Sequence, residues 1–163
     1  MREFASQALA RGSIKDVSLP ISAVILAKPA RAAKARLSPA LPPVARQELA
    51  AAMLADLLDA LKASACMRTI AVQTADPGLG DVAIRAGADW YRETFPSGLN
   101  EAAAMAIANA RHQNMHRLLI LPSDLPLARA CDFEALAMMS AAEEANMPIG
   151  VRSRDGGTNA LLL

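Results

Sequence analysis

The chain has 163 residues, 53% hydrophobic and 20% charged, which suits one domain around one core. Seventeen Lys+Arg against 16 Asp+Glu leave a formal net charge of +1 with no block of like charge, and this argues against a dedicated nucleic-acid surface. No apolar stretch is long enough to span a membrane, and Cys66 and Cys131 have neither metal-type nor redox-type spacing, so a reduced, cytoplasmic chain is expected.

Residues 1–19 read as a peripheral N-terminal extension: Arg2, Glu3, Arg11, Lys15 and Asp16 interrupt any apolar run of the signal-peptide kind, and Gly12, Ser13 and Pro20 follow the pattern of a loop. The domain proper is expected over 20–163. Ile21 to Ala27 is a continuous apolar run, as in a strand covered on both faces. Lys28 to Pro43 holds four prolines and is a loop. A helix is predicted from near Val44, with Leu49, Met53, Leu54, Leu57, Leu58 and Leu61 at helical spacing. Thr69–Thr74 is the second strand. Asp76-Pro77 then gives an N-cap and a first-position proline for a short helix that Gly87 ends.

Asp89–Glu93 is the third predicted strand. An alanine-rich helix follows, opened by Ser97-Gly98 and running to about Asn114. Arg117–Pro122 is the fourth strand, Asp132–Ala145 a helix capped by Asp132, Met147–Arg152 the fifth strand, and Thr158 the start of a sixth that the chain leaves in mid-run. Strands alternating with helices predict an α/β fold: three α/β/α layers around a mostly parallel sheet. Ligands of such sheets bind outside the carboxyl ends of the strands. The loops after the first and fourth strands should therefore share one edge.

Four segments have the composition of binding elements. Lys28-Pro-Ala-Arg-Ala-Ala-Lys-Ala-Arg36 sets four cations among small residues, which suits a triphosphate. It lacks the glycines and Lys-Ser/Thr ending of a Walker A loop, and a solvated basic loop is the other reading. Leu121-Pro-Ser-Asp-Leu-Pro-Leu127 places Asp124 between two prolines just past a buried strand, where a carboxylate can hold a hard cation or simply cap a turn. Asp155-Gly-Gly-Thr-Asn159 offers backbone N–H groups and a hydroxyl to an anion, or forms a hairpin turn. Gly98-Leu-Asn100 begins a helix, where a base or sugar can approach closely and where ordinary helix starts also look alike. His112 and His116 have metal-ligand spacing but no third ligand nearby, so they read as surface residues.

In this order the segments resemble the guanylyltransferases of coenzyme F-420 biosynthesis, the CofC/FbiD family. The matching residues are Lys28, Ala33-Lys-Ala-Arg-Leu-Ser38, Arg46, Asp56, Gly98-Leu-Asn100, Leu121–Leu127 and Asp155–Leu161, and the resemblance covers about 21–163. It implies a GT-A-like nucleotidyltransferase fold. It further implies that a phosphorylated hydroxy-acid (2-phospholactate, phosphoenolpyruvate or 3-phosphoglycerate) attacks the α-phosphorus of GTP, with pyrophosphate leaving.

On that resemblance, Lys28, Lys34, Arg36 and Asp124 are the expected catalytic residues. Ala27, Lys28, Lys34, Arg36, Gly98, Asn100 and Asp124 would bind the nucleotide, and Gly156, Gly157, Thr158 and Asn159 the acid. Asp124 would hold Mg²⁺, with Asp155 as the second candidate. The expected partners are GTP and a small phosphorylated acid, not nucleic acid or membrane, and the chain admits a homodimer. Relatives continue beyond the position of Leu163, so a fragment and a naturally short chain are both open. In either case Leu161–Leu163 would be left uncovered as an apolar patch. A nucleotidyltransferase with a molybdopterin or sugar-phosphate acceptor, and a non-catalytic nucleotide-binding subunit, are the rival readings.

Overall fold

The computed structural model describes residues 20–30, 37–95, 98–142, 147–154 and 156–163. The extension over 1–19, the middle of the basic loop with Lys34 and Arg36, and Asp155 lie outside the described residues. Ten elements follow one another: β1 (Ile21–Leu26), α1 (Pro43–Lys62), β2 (Met67–Thr74), α2 (Pro77–Arg85), β3 (Asp89–Arg92), α3 (Leu99–His112), β4 (Leu118–Pro122), α4 (Ala130–Ala142), β5 (Ile149–Arg152) and β6 (Thr158–Leu162).

The strands form one six-stranded sheet in the order β3-β2-β1-β4-β6-β5. β2 and β4 flank β1 in parallel, and β3 lies parallel to β2. β6 pairs antiparallel with both β4 and β5. It follows that β5 runs with the first four strands and that β6 alone is reversed.

The apolar run of β1 is buried on both faces because successive side chains point to opposite sides. Ile21, Ala23 and Ile25 join a core with Leu54, Leu57, Leu58 and Leu61 of α1, Leu79 and Ala83 of α2, and Phe133, Leu136 and Ala137 of α4. Val24 and Leu26 join a second core with Ala102, Ala106 and Ala110 of α3. Three helices thus cover one face and α3 the other. Right-handed crossovers account for α1 and α2 on one face and α3 on the other, because the strand order turns back from β3 at one margin to β4 on the far side of β1; α4, which leads from β4 towards β5, instead packs on the face of α1 and α2. Leu54, Leu57, Leu58 and Leu61 of α1 are completely buried, each worth roughly 1.5–3 kcal/mol. Alanines every fourth residue let α3 lie close against the sheet.

Capping sets several boundaries. Asp76 accepts from the Gly78 N–H at 2.8 Å and the Leu79 N–H at 3.4 Å, as expected of an N-cap. Its other oxygen accepts from the Ala30 N–H at 2.7 Å, so one carboxylate ties the start of the basic loop to the start of α2. Asp76→Ala should therefore cost about 1–2 kcal/mol in urea unfolding, while Asp76→Asn should recover part of the loss. Gly87, at φ 76°, closes the turn after α2, a conformation that favours glycine.

Two expectations are corrected. Asp132 is not the cap residue of α4 but lies inside its first turn. Its carboxylate reaches back to the Arg129 N–H at 2.8 Å, so the helix starts earlier than the first acidic residue suggests. The leucine patch expected at Leu161–Leu163 shrinks to Leu163, which is exposed, with Leu161 half-buried. β6 lies between β4 and β5, Leu162 is only 2% exposed, and Leu163 exchanges both backbone hydrogen bonds with Leu118, at 2.9 and 3.0 Å. Among the described residues, no helix is long and apolar enough to cross a membrane.

Candidate active site

The expected binding loops meet at one sheet edge. β1, β4 and β6 are adjacent, and Leu26 at the end of β1 is in register with Pro122 at the end of β4. The Ser123 N–H donates to the Leu26 carbonyl at 3.2 Å, which holds the two chain exits together. Lys28 and Asp124 each lie two residues beyond that pair, and both are exposed. β6 is antiparallel, so it begins at the edge where β1 and β4 end. Its first residue, Thr158, is exposed there opposite Arg152, the last residue of β5.

The turn between β5 and β6 is a hairpin. The Ser153 N–H donates to the Gly157 carbonyl at 2.9 Å and the Gly156 N–H to the Ser153 carbonyl at 3.2 Å, with Gly156 at φ 88°. This is the geometry that the hairpin reading expects. It leaves Gly156, Gly157 and Thr158 exposed at the edge and Asn159 half-buried. Ala27 is 5% exposed, and its N–H donates to the Gln73 carbonyl at 3.0 Å.

Gly98 and Asn100 stand at the start of α3, both exposed, where the Glu101 carboxylate accepts from the Gly98 N–H at 3.2 Å. Just inside, Leu99 and Ala102 line a shallow, open cleft with Ala27, Lys28, Gln73 and Glu93. The structure thus places the start of α3 beside the β1 exit. Two groups stand apart from this grouping. Asp56 is exposed in the second half of α1, and His112 and His116 are exposed at the far end of α3.

Gln73, Glu93 and the Asp76–Ala30 tie were missed in the sequence. The available signal was a polar residue inside the buried run Ala71–Thr74, where a strand between two cores has no reason to carry an amide. Arg46, in the first turn of α1, is half-buried, and its Nε has no hydrogen-bond partner among the described residues. Among the described residues, no three His, Cys, Asp or Glu side chains gather to hold a metal.

Comparison with solved structures fits the fold. The chain overlays 86% of its length on 62% of a protein from Desulfovibrio desulfuricans assigned as a nucleotide-diphospho-sugar transferase, with TM-score 0.68 and 15% identity. It overlays 88% of its length on 60% of a cytidylyltransferase from Leptospira borgpetersenii, with TM-score 0.60 and 15% identity.

Sequence relatives are nearer. The chain is 34% identical to a 3-phospho-D-glycerate guanylyltransferase of Phenylobacterium zucineum, over 85% of the chain and 64% of that protein. It is 38% identical to a phosphoenolpyruvate guanylyltransferase of Rubrobacter xylanophilus, over 89% of the chain and 69% of that protein. It spans about two thirds of the length of these curated relatives. Residues 21–163 match the family described as "Guanylyl transferase CofC like", and the chain belongs to that family.

Proposed function

We propose that the protein transfers GMP from GTP to a small phosphorylated acid, with phosphoenolpyruvate and 3-phosphoglycerate the leading candidates and 2-phospholactate the third. The observation that carries this is the match to guanylyltransferases over most of the chain, on a sheet whose adjacent strands bring Lys28, Asp124 and Thr158 to one edge.

In this reading an oxygen of the acid's phosphate attacks the α-phosphorus of GTP, the bond from the α-phosphorus to the bridging oxygen breaks, and pyrophosphate leaves with that oxygen. The attacking oxygen is already anionic, so no strong general base is required. The protein's work is to align two anions and neutralise their charge. Lys28, at the β1 exit, would do so, and the sequence reading adds Lys34 and Arg36 of the same loop. Ala27, Gly98 and Asn100 border the nucleoside. Gly156, Gly157, Thr158 and Asn159 take the acid, on the far side of Asp124.

Asp124 suits Mg²⁺ by the chemistry of its donor: one exposed carboxylate is enough when phosphate oxygens and water complete the shell, and Asp155 is the second candidate. The ion would supply charge neutralisation to the phosphate oxygens. A cytoplasmic setting accords with both cysteines being free.

The test is pyrophosphate release from GTP, ATP and CTP, each paired with phosphoenolpyruvate, 3-phosphoglycerate, 2-phospholactate, a sugar phosphate or molybdopterin. Release from GTP with one of the three acids is expected. Release only with a sugar phosphate or molybdopterin, or nucleotide binding without any release, would replace the proposal with one of its rivals.

A further inference from the structure

The cleft beside α3 contains a polar pair that the expected binding residues leave unexplained. Gln73 is 2% exposed and Glu93 7%, and both line the cleft. The Gln73 Nε2 donates to Glu93 Oε1 at 2.9 Å and to the Ala102 carbonyl at 2.9 Å. A carboxylate and a carbonyl can only accept, so this fixes which end of the amide is nitrogen. The remaining end, Oε1, is therefore an acceptor. It is buried and has no hydrogen-bond partner among the described residues. A buried acceptor left unpaired is a standing cost that native proteins rarely carry without a purpose. An apolar residue would fill this position between Val72 and Thr74 at no such cost.

We infer that Gln73 and Glu93 recognise the guanine base, a reading that rests on the proposed nucleotide site and adds its base specificity. Two neighbouring acceptors, one of them charged, border a cleft whose other walls, from Ala27, Pro29, Leu99 and Ala102, are apolar enough to take a flat ring. Guanine alone among the common bases presents two adjacent donors, N1–H and the exocyclic amino group. Adenine and cytosine each set an acceptor nitrogen beside their amino group, and uracil flanks its one N–H with two carbonyls. Two acceptors side by side therefore favour guanine and repel the other three. Gln73 serves twice, because its Nε2 also holds Glu93 in place.

The experiment compares GTP with ITP, which lacks only the exocyclic amino group, and with ATP, by calorimetry on the full chain. Wild type is expected to bind ITP about tenfold or more weakly than GTP, since the lost bond is charge-assisted. In Glu93→Gln the GTP/ITP ratio should fall to about twofold with ITP affinity little changed, whereas Gln73→Leu, which removes the acceptor for N1–H, should weaken GTP and ITP together by about tenfold. Equal binding of GTP and ITP by wild type would overturn the inference without any variant, so a variant that fails to fold does not protect it. A preserved ratio in folded Glu93→Gln, or unchanged affinity for both nucleotides in folded Gln73→Leu, would overturn it too and leave guanylyl transfer standing. Failure of wild type to bind GTP at all would overturn both.

Discussion

Asp124→Asn is expected to lower guanylyl transfer about 100-fold or more while leaving stability within about 0.5 kcal/mol. Asn keeps the shape of the side chain and one acceptor oxygen. It loses only the charge that a hard cation needs. Asp124 is exposed, which separates its proposed role from the core. The measurement is kcat across a magnesium titration, with urea unfolding as the control. A loss below about tenfold would put the essential charge on another carboxylate, and Asp155 would be the next to replace.

Gly80→Val should be the most damaging single change to the fold, at about 3 kcal/mol, or a fall of roughly 6–12 °C in melting temperature. Gly80 lies inside α2, where a larger residue would ordinarily raise helix propensity. Here a Cβ would overlap the Trp90 ring. That ring has little freedom to yield, because its Nε1–H donates to the Thr74 carbonyl at 3.1 Å and Arg92 sits 5.5 Å from the ring centroid. Gly80→Ala should destabilise by a smaller amount, opposite in sign to the propensity rule. Trimming the ring with Trp90→Leu should restore part of the stability lost in Gly80→Val. A neutral Gly80→Val in thermal melts would show that α2 can shift away from β3.

Elements with a strong local pattern were legible. Apolar runs marked β1 and β4, and Asp76-Pro77 and Gly87 marked the two ends of α2. The shared edge of Lys28 and Asp124 followed from strand–helix alternation alone. The direction of β6 was not legible, because a strand's side-chain alternation reads the same either way. The burial of Leu162 depended on that direction and on which neighbour accepted the strand. Gln73 and Glu93 stand 20 residues apart, and only the parallel pairing of β2 with β3 makes them partners. Asp132 misled because an acidic residue in the first turn resembles a cap when the residue before the helix, Arg129, is not a capping type. Lys34, Arg36 and Asp155 lie outside the described residues and rest on the sequence reading.

The single reversed strand has a kinetic consequence. β5 and β6 are joined by a tight turn, so they can zip together on the time scale of a hairpin, about 1–10 μs. β1 finds β4 only after two complete strand–helix units have been threaded between them, and pairing across such sequence distances is slow. The ribbon carrying Thr158 would then exist before the sheet edge that receives it. Arrival of β4 would be the event that joins the half of the edge bearing Thr158 to the half bearing Lys28.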